Sequence, residues 1–323
     1  MFYFSTLIIF SFLVYLIITK RSRNEIQIEE KKDTSTSLND FYDIDTPQID
    51  ELEIGIKLEH QFSDKFNEIS ITYYDGIKIT AAAKDIINKR DIIINTLNLN
   101  VTNKEKANEL FTREIEAIRR VNHPNLIKIY EIGNNENFLY YVTENMKGRS
   151  LASLLEEKKN LPLSDALDII NQALKGLLHL HNNKIIHRNI TPQSIFINEK
   201  GTVKLINFEI AKLGAGPYDR LKEATMVGDL YFGAPEQIAG ENVSSKSDIF
   251  ALGACLFYML SNEFPFDNQA LSLDKGSKPK DLSKLCPQVP LPIIAIISNC
   301  LETNPDNRPS SMDLWKEIRE IKL

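Results

Sequence analysis

One short stretch of the sequence groups side chains of the kinds that catalysis uses. Residues 185–198 read IIHRNITPQSIFIN, and His187 and Arg188 lead into a bend that Pro192 fixes. Asn189 stands at the centre of this loop. An aspartate there could accept a proton, whereas a neutral amide has negligible basicity near pH 7. The segment therefore predicts a loop with the shape of a catalytic site and an uncharged residue at its focus.

The bulk composition limits the classes of function. Hydrophobic residues make up 43% and charged residues 25% of the 323 residues, which is typical of a folded protein. The net charge of −6 argues against nucleic acid as a partner, because no basic excess is present to neutralise phosphates. Cys255, Cys286 and Cys300 lack the spacing of metal ligands and indicate core packing in a reducing compartment.

The N-terminus predicts a membrane anchor. Residues 1–19, MFYFSTLIIFSFLVYLIIT, carry no charge, and the cations Lys20, Arg21 and Arg23 follow directly. A helix of this length spans about 28 Å, close to the hydrocarbon thickness of a bilayer. A cleaved signal peptide and a buried soluble helix are the alternatives, but neither a basic leading region nor a small-residue cleavage site is visible. The positive-inside rule then places the rest of this single-pass chain in the cytosol.

The sequence after the anchor changes in character along its length. Residues 20–52 are polar and mildly acidic, which predicts a flexible tether. Short β-rich runs separated by turn residues fill residues 53–98, and an amphipathic helical period covers 103–121. Residues 126–145 predict a hairpin. After about residue 148 long helical patterns dominate.

These patterns predict an α+β domain over residues 53–323. Its small lobe, at about 53–144, is expected to be an antiparallel sheet with one helix. Its larger lobe, at about 145–323, is expected to be mainly helical.

A series of local motifs follows the same order as these elements. IIHRNITPQSIFIN is followed by VKLINFEIAKL, YFGAPEQ, SKSDIFALG and NPDNRPS. Over residues 55 to 323 this series resembles the eukaryotic-type protein kinase family, on the serine/threonine branch. The first motif is similar to the catalytic loop H-R-D-L-K-P-E-N, the second stands at D-F-G, and the third is similar to A-P-E. The last two resemble the start of the buried central helix and the late arginine motif. The resemblance implies a bilobal kinase-like fold.

The resemblance also implies that four reacting groups are replaced. The aspartate, lysine and asparagine of the catalytic loop correspond to Asn189, Thr191 and Ser194, and the metal-binding aspartate of D-F-G corresponds to Asn207. Magnesium prefers hard anionic oxygens, so the loss of that carboxylate is expected to remove most of the metal site. Because phosphoryl transfer depends on positioning and charge stabilisation, these changes predict an inactive enzyme.

The small lobe carries a related pattern. The lysine–glutamate pair of the family maps onto Asn95 and Glu114, and the three glycines of its Gly-rich loop onto Tyr73, Asp75 and Lys78. The with-no-lysine kinases place a substitute phosphate-binding lysine at the position of Lys78, so a pair with Glu114 could hold a nucleotide. The favoured interpretation is nonetheless a solvated lysine on an exposed hairpin.

Positions with structural roles in the family are retained. His187 and Phe208 match a column of stacked side chains that links the lobes, and Asp248 matches the aspartate that anchors its base. Glu236 and Arg308 match a buried ion pair of the large lobe. The scaffold is thus kept where the reacting groups are not.

The resemblance gives roles to the segments that border the cleft. Thr143 takes the gatekeeper position, and Glu144 to Met146 take the hinge, where a nucleotide would be held. Thr225 matches the usual activating phosphosite, and Arg188 is the residue that would pair with a phosphate there. An ordinary exposed loop threonine is the favoured interpretation of Thr225.

We therefore expect an inactive serine/threonine kinase homologue, a membrane-tethered pseudokinase that acts as a scaffold or allosteric partner. Its expected partners are the lipid bilayer, through residues 1–19, and an unidentified protein such as an active kinase. No cofactor is expected, neither ATP nor magnesium. Two alternatives stay open, both using Lys78: a metal-independent nucleotide sensor, and a weakly active atypical kinase that draws on the residual carboxylate of Glu209.

Overall fold

The computed structural model describes most of the chain after residue 50. The described ranges are 51–74, 78–97, 104–134, 139–208, 211–213, 231–267 and 277–321. The predicted anchor and nearly all of the predicted tether lie outside these ranges. Within them, no helix is long and apolar enough to cross a membrane.

An antiparallel sheet of five strands forms the small lobe. The strands are β1 (Phe66–Tyr74), β2 (Lys78–Asp85), β3 (Arg90–Leu97), β4 (Ile129–Asn134) and β5 (Leu139–Glu144). Their spatial order is β1-β2-β3-β5-β4, and each neighbouring pair is antiparallel. The predicted hairpin of residues 126–145 is the β4–β5 pair.

Side-chain alternation gives this sheet two different faces. Ile79 and Ala81 of β2 and Ile92 and Ile94 of β3 are buried together in one apolar cluster. Successive residues of a strand point to opposite faces, so Lys78, the first residue of β2, lies on the other face. One face of the sheet is therefore an apolar core, and the other face carries polar residues such as Lys78.

A helix that the sequence analysis missed covers the core side of the sheet. Helix α1 (Glu51–Phe62) buries Ile54, Leu58 and Phe62, which recur every four residues and form one apolar stripe. The Phe62 ring meets the edge of Tyr140 on β5 at a centroid distance of 4.8 Å. The expectation of one helix in the small lobe is thus wrong. Residues 53–62 are helical, and the strands begin at Phe66.

A second helix lies on the opposite side. Helix α2 (Lys104–Ile118) corresponds to the predicted amphipathic segment. Phe111, Ile115 and Ile118 are buried in the main core, and Glu114 lies buried among them. A buried carboxylate requires a partner, and this one faces the sheet.

The large lobe is built from helices around a central buried one. The helices are α3 (Leu151–Lys158), α4 (Leu163–Asn182), α5 (Pro235–Ile238), α6 (Ser245–Ser261), α7 (Leu282–Leu285), α8 (Leu291–Cys300) and α9 (Ser311–Glu320). Helix α6 is buried along nearly its whole length, because its sequence is apolar on all sides. A capping box formed by Ser244 and Ser247 starts it.

Short strands at the top of the large lobe frame the loop that opened the sequence analysis. They are β6 (Gly148–Ser150), β7 (Ile185–Ile186), β8 (Ile195–Asn198), β9 (Val203–Leu205) and β10 (Lys212–Leu213). Strands β6, β8 and β9 form one sheet, and β7 pairs with β10. The loop of residues 187–194 therefore connects β7 to β8. Each of these strands pairs with other strands, which fixes both ends of the loop. A small antiparallel lobe followed by a helical lobe confirms the predicted bilobal α+β fold.

Candidate active site

A buried ion pair joins the sheet to helix α2. The Lys78 Nζ atom lies 3.0 Å from Oε1 and 3.2 Å from Oε2 of Glu114. Only 9% of Lys78 is exposed, and Glu114 is buried as well. The favoured interpretation of Lys78 as a solvated hairpin lysine is therefore wrong. Its stem points into the lobe because the alternation of β2 places it on the face that α2 covers.

A tyrosine also contacts Glu114. The phenol of Tyr141 on β5 donates a hydrogen bond of 2.6 Å to Glu114 Oε1. Its ring stacks on Phe111 of α2 at a centroid distance of 5.4 Å, and Lys78 Nζ lies 5.9 Å from its centroid. Sequence reasoning did not single out Tyr141. Residues 139–144, LYYVTE, form a strand in which successive side chains point to opposite faces of the sheet. This alternation could have indicated that Tyr140 and Tyr141 lie on different faces.

Asn95 lies on the same face but has a different partner. It pairs in register with Thr80 on β2 and with Tyr141 on β5. The Thr80 Oγ1 hydroxyl donates to Asn95 Oδ1 at 3.2 Å. The amide on β3 is thus tied to its neighbouring strand, while the cation that reaches Glu114 comes from β2.

The loop between β7 and β8 is held from beneath by a buried carboxylate. Asp248 on α6 accepts hydrogen bonds from the backbone N–H groups of His187 and Arg188, at 2.9 and 2.8 Å, and pairs with His181 Nε2 at 2.8 Å. Burial by itself raises the pKa of Asp248, but the hydrogen bond and charge of His181 outweigh it, so the pKa lies below its usual value. A charged Asp248 therefore fixes the start of the loop.

The middle of this loop closes on itself. The Ser194 hydroxyl donates to the Thr191 carbonyl at 3.0 Å and accepts the Thr191 N–H at 2.9 Å. Both residues are buried. Their hydroxyl groups stabilise the loop, so neither is presented as a ligand group. Asn189 is half-buried, and its N–H donates to His187 Nδ1 at 3.3 Å.

The segment after β9 turns sharply at Asn207. Asn207 is exposed and has a φ of 64°, a left-handed conformation that asparagine adopts more readily than most residues. The turn buries Phe208, whose ring lies 4.7 Å from that of His187. His187 Nε2 is 3.0 Å from the Ile206 carbonyl, and burial lowers the pKa of His187, which keeps the ring neutral.

The end of strand β5 carries the predicted gatekeeper and hinge positions. Thr143 is buried, Glu144 is half-buried and Met146 is half-buried. The Glu144 carboxylate accepts the Lys128 N–H at 2.8 Å and pairs with Lys204 Nζ at 2.7 Å. These contacts tie the end of β5 to the residue before β4 and to β9.

Oxygen donors for a metal ion are sparse in the described part of the site. The candidate positions hold the amide of Asn207 and the hydroxyl of Ser194, which is already engaged within its own loop. Among the described residues no group of three or more His, Cys, Asp or Glu side chains could hold a metal ion. These side chains therefore do not fit a magnesium ion that is held by protein carboxylates. Asp75, Glu209 and Thr225 lie outside the described residues, and the phosphorylation of Thr225 stays a prediction.

A second buried ion pair lies in the large lobe, away from this site. Arg308 Nη1 and Nη2 donate to the two carboxylate oxygens of Glu236 at 2.7 and 2.8 Å. The Ser247 hydroxyl donates to Glu236 Oε1 at 2.6 Å, and the Phe250 ring lies 4.8 Å from the Arg308 guanidinium. The pair links the start of α5 to the segment before α9.

A comparison with family models identifies this arrangement. The model described as the protein kinase domain matches residues 81–318, which is well over half of the chain. The chain belongs to the protein kinase family. Glu114 and the loop of residues 187–194 lie within the matched residues, and Lys78, which pairs with Glu114, lies three residues before them.

Several named kinases are similar to this kinase domain. It is 30% identical to the serine/threonine-protein kinase PrkC of Bacillus subtilis over 210 residues, which are 65% of this chain and 32% of that protein. It is 29% identical to the probable serine/threonine-protein kinase PknB of Lactococcus lactis over 264 residues, 80% of this chain and 42% of that protein. The serine/threonine-protein kinase PknB of Mycobacterium leprae is 27% identical over 254 residues, 76% of this chain and 41% of that protein. The chain thus spans less than half of the length of these kinases.

These relatives overturn the expectation of an inactive scaffold. A kinase domain whose named relatives are serine/threonine kinases points to an enzyme, so the prediction of a pseudokinase is wrong. The same relatives argue against the expectation of no cofactor, because kinases use ATP and magnesium for phosphoryl transfer. The assignment of Asn189, Thr191, Ser194, Asn207 and Asn95 to particular catalytic positions stays a prediction.

Proposed function

We propose that this chain is a serine/threonine protein kinase that binds ATP through Lys78 and transfers the terminal phosphoryl group to a hydroxyl side chain of a protein. The buried ion pair of Lys78 and Glu114 carries this proposal. A buried lysine needs a negative partner, and a carboxylate that holds it in place leaves its ammonium positioned for phosphate oxygens. The names of the relatives support a serine or threonine hydroxyl as the acceptor.

Lys78 takes over the task that a lysine on β3 would perform. Its ammonium supplies a compact positive charge, which lowers the energy of the negative charge on the phosphate groups of bound ATP. Glu114 holds this ammonium by a hydrogen bond, and the phenol of Tyr141 in turn holds the Glu114 carboxylate. Such a preorganised charge is the kind of group from which phosphoryl transfer gains most of its rate.

Asn189 orients the acceptor hydroxyl and does not take its proton, which passes to an oxygen of the transferred phosphoryl group late in the reaction while ADP leaves. A side-chain amide oxygen accepts a hydrogen bond from a hydroxyl group but has negligible basicity at neutral pH. Phosphoryl transfer passes through a loose transition state with little covalent chemistry, so orientation supplies part of the rate even without a strong base. The expected enzyme is therefore slow compared with a kinase that has aspartate at this position.

The proposal assigns no side chain to magnesium, and it leaves the magnesium dependence of phosphoryl transfer to be measured. When bound with ATP, it neutralises phosphate charge in kinases. The described side chains suit the phosphate groups, through Lys78, better than they suit a metal ion. The magnesium dependence of transfer is therefore part of the experiment.

Two further parts of the proposal concern place and partners. Residues 1–19 would anchor the chain in a bilayer as a single span, with residues 20–52 as a tether and the kinase domain in the cytosol; the uncharged run and the cations after it support this. The protein that receives the phosphoryl group would then be reached near that membrane. Fractionation of cells that express the full chain, or a chain lacking residues 1–19, tests the anchor: the full chain is expected in the membrane fraction and the shortened chain outside it.

A transfer assay tests the enzymatic proposal. The purified chain is incubated with ATP labelled in its terminal phosphate and with casein as a generic acceptor, with and without magnesium. Transfer to serine or threonine is expected for the unchanged chain and is expected to be lost in Lys78→Ala. Lys84→Ala is the matched control, because Lys84 lies on the same strand, is half-exposed and pairs with Glu68. An unchanged chain that neither binds ATP at millimolar concentration nor transfers phosphate would overturn the proposal.

A further inference from the structure

Tyr141 stands out among the buried polar groups of the small lobe. Its phenol and the ammonium of Lys78 both donate to Oε1 of Glu114, at 2.6 and 3.0 Å. An ionised carboxylate accepts several hydrogen bonds, and a bond from a neutral donor to a charged acceptor is among the stronger kinds. The two donors approach one oxygen from two different strands, β5 and β2.

The register of the sheet explains how Tyr141 reaches this carboxylate. Tyr141 pairs with Asn95 on β3, and Asn95 pairs with Thr80 on β2, so the three residues lie in one row across the sheet. The amide of Asn95 is short and is held by Thr80. The long Tyr141 side chain crosses from β5 to α2 instead and stacks on Phe111.

We infer that Tyr141 is a positioning residue for Lys78: its phenol holds the Glu114 carboxylate in the orientation that aims the Lys78 ammonium at the phosphate groups of ATP. This inference rests on the proposed function for its ligand. Lysine has a flexible four-carbon stem and makes no fixed fork with a carboxylate, so the direction of its ammonium depends on how firmly its partner is held. Tyr141 supplies that restraint from a rigid strand.

Tyr141→Phe removes the phenolic oxygen and keeps the stacked ring. We expect this variant to bind ATP about tenfold more weakly and adenosine, which has no phosphate groups, with unchanged affinity, both measured by titration calorimetry. A general loosening of the fold would weaken both ligands alike. An unchanged affinity for ATP would overturn the positioning role.

The neighbouring residue provides a matched control. Tyr140 is equally buried, and its phenol donates to the Glu131 carboxylate at 2.7 Å, but it points to the other face of the sheet and packs on Phe62. Tyr140→Phe therefore loses the same type of hydrogen bond away from Lys78. It is expected to lower the melting temperature without changing the affinity for ATP. An equal loss of ATP affinity in both variants would contradict the inference.

A measurement without nucleotide separates this inference from the proposed function. Lys78 in the apo protein is labelled with an amine-reactive reagent, and its rate of modification is followed by peptide mass spectrometry. Release of Glu114 is expected to make Lys78 react several-fold faster in Tyr141→Phe and at an unchanged rate in Tyr140→Phe. If the unchanged chain binds no ATP but this difference appears, the proposed function fails and the positioning of Lys78 by Tyr141 stands. If Lys78 reacts equally fast in all three proteins, the positioning role is overturned whatever ATP does.

Discussion

Each lobe has a buried ion pair between a basic residue and a glutamate, and the two pairs differ in how completely the basic group is hydrogen-bonded within the protein. In the large lobe, Arg308 meets Glu236 with both ends of its guanidinium, and its other N–H groups donate to the carbonyls of Glu302, Lys246 and Thr303. All five guanidinium N–H groups therefore have acceptors within the protein. In the small lobe, a lysine on a flexible stem meets Glu114.

The difference teaches what each pair can do. The guanidinium of Arg308 is planar, fully engaged and enclosed by α5, α6 and the segment before α9, so it can only stabilise the fold. The ammonium of Lys78 sits on the first residue of β2, at the edge of the segment where a phosphate-binding loop is expected, and a lysine can redirect its donors to a ligand. The first pair is a part of the scaffold, and the second is a part of the candidate site.

The largest expected effect comes from breaking the scaffold pair. Arg308→Ala leaves the charge of Glu236 buried without its partner, which typically costs about 3–5 kcal/mol in the free energy of unfolding. Urea unfolding measures this loss. Arg319→Ala is the control, because Arg319 is exposed and its guanidinium stacks on Trp315. Equal stability of the two variants would show that the pair does not hold the large lobe together.

Breaking the other pair is expected to act mainly on the ligand. Lys78→Ala removes a charged donor to phosphate, which typically contributes about 1.5–3 kcal/mol, or roughly tenfold to a hundredfold in affinity. The dissociation constant of ATP, measured by calorimetry, should rise by this factor. Removing Lys78 leaves the buried Glu114 carboxylate with the hydrogen bond from Tyr141 but without this cation, so circular dichroism is used first to establish that the variant is folded. A variant that binds ATP as tightly as the unchanged chain would contradict the role of Lys78.

Moving the lysine back to β3 sharpens the comparison. Asn95→Lys in the Lys78→Ala background places an ammonium in the same row of the sheet as Tyr141, facing α2. We expect it to restore part of the lost ATP affinity, about tenfold, because Glu114 can accept a lysine from either strand. Asn95→Met in the same background adds a side chain of similar length without charge and should restore none. Equal ATP affinities of the lysine and methionine variants would show that the positive charge does not cause the recovery of affinity.

The smallest expected effect is a pH dependence of stability that arises from buried histidines. Burial lowers the pKa of His187 in the folded state, so below about pH 6.5 the unfolded chain binds a proton that the folded chain does not. Stability should therefore fall as the pH is lowered from 7 to 5.5. His123, whose pKa is lowered by burial and then by His179, acts in the same direction. Urea unfolding at both pH values should show a smaller change for His187→Phe, and an unchanged difference would contradict this account.

Much of the fold was predictable because its signals are local. The alternation of β2 and β3, the helical period of α2 and the motif order around residues 185–198 each depend on neighbours in sequence. Helix α1 was missed because its stripe of Ile54, Leu58 and Phe62 is short and lies beside a polar segment, and its stability comes from packing on the sheet.

The candidate site divides in the same way. The sequence placed Asn189 and Asn207 in their segments, but it did not decide between a solvated and a paired Lys78, and it gave no reason to single out Tyr141. The partners of Glu114 come from β2 and β5, which are separated from it by 36 and 27 residues. Contacts of this kind depend on how strands and helices pack, so they leave no local pattern in the sequence.

By itself, then, the sequence of this protein determined the order of its motifs and the two lobes, because these are properties of residue type and spacing. The tertiary structure alone decided that Lys78 on β2 is buried against Glu114 and that Tyr141 also donates to this carboxylate. The physical reason is burial: a lysine and a carboxylate withdrawn from water must find each other, and only the packed sheet and helix determine which ones do.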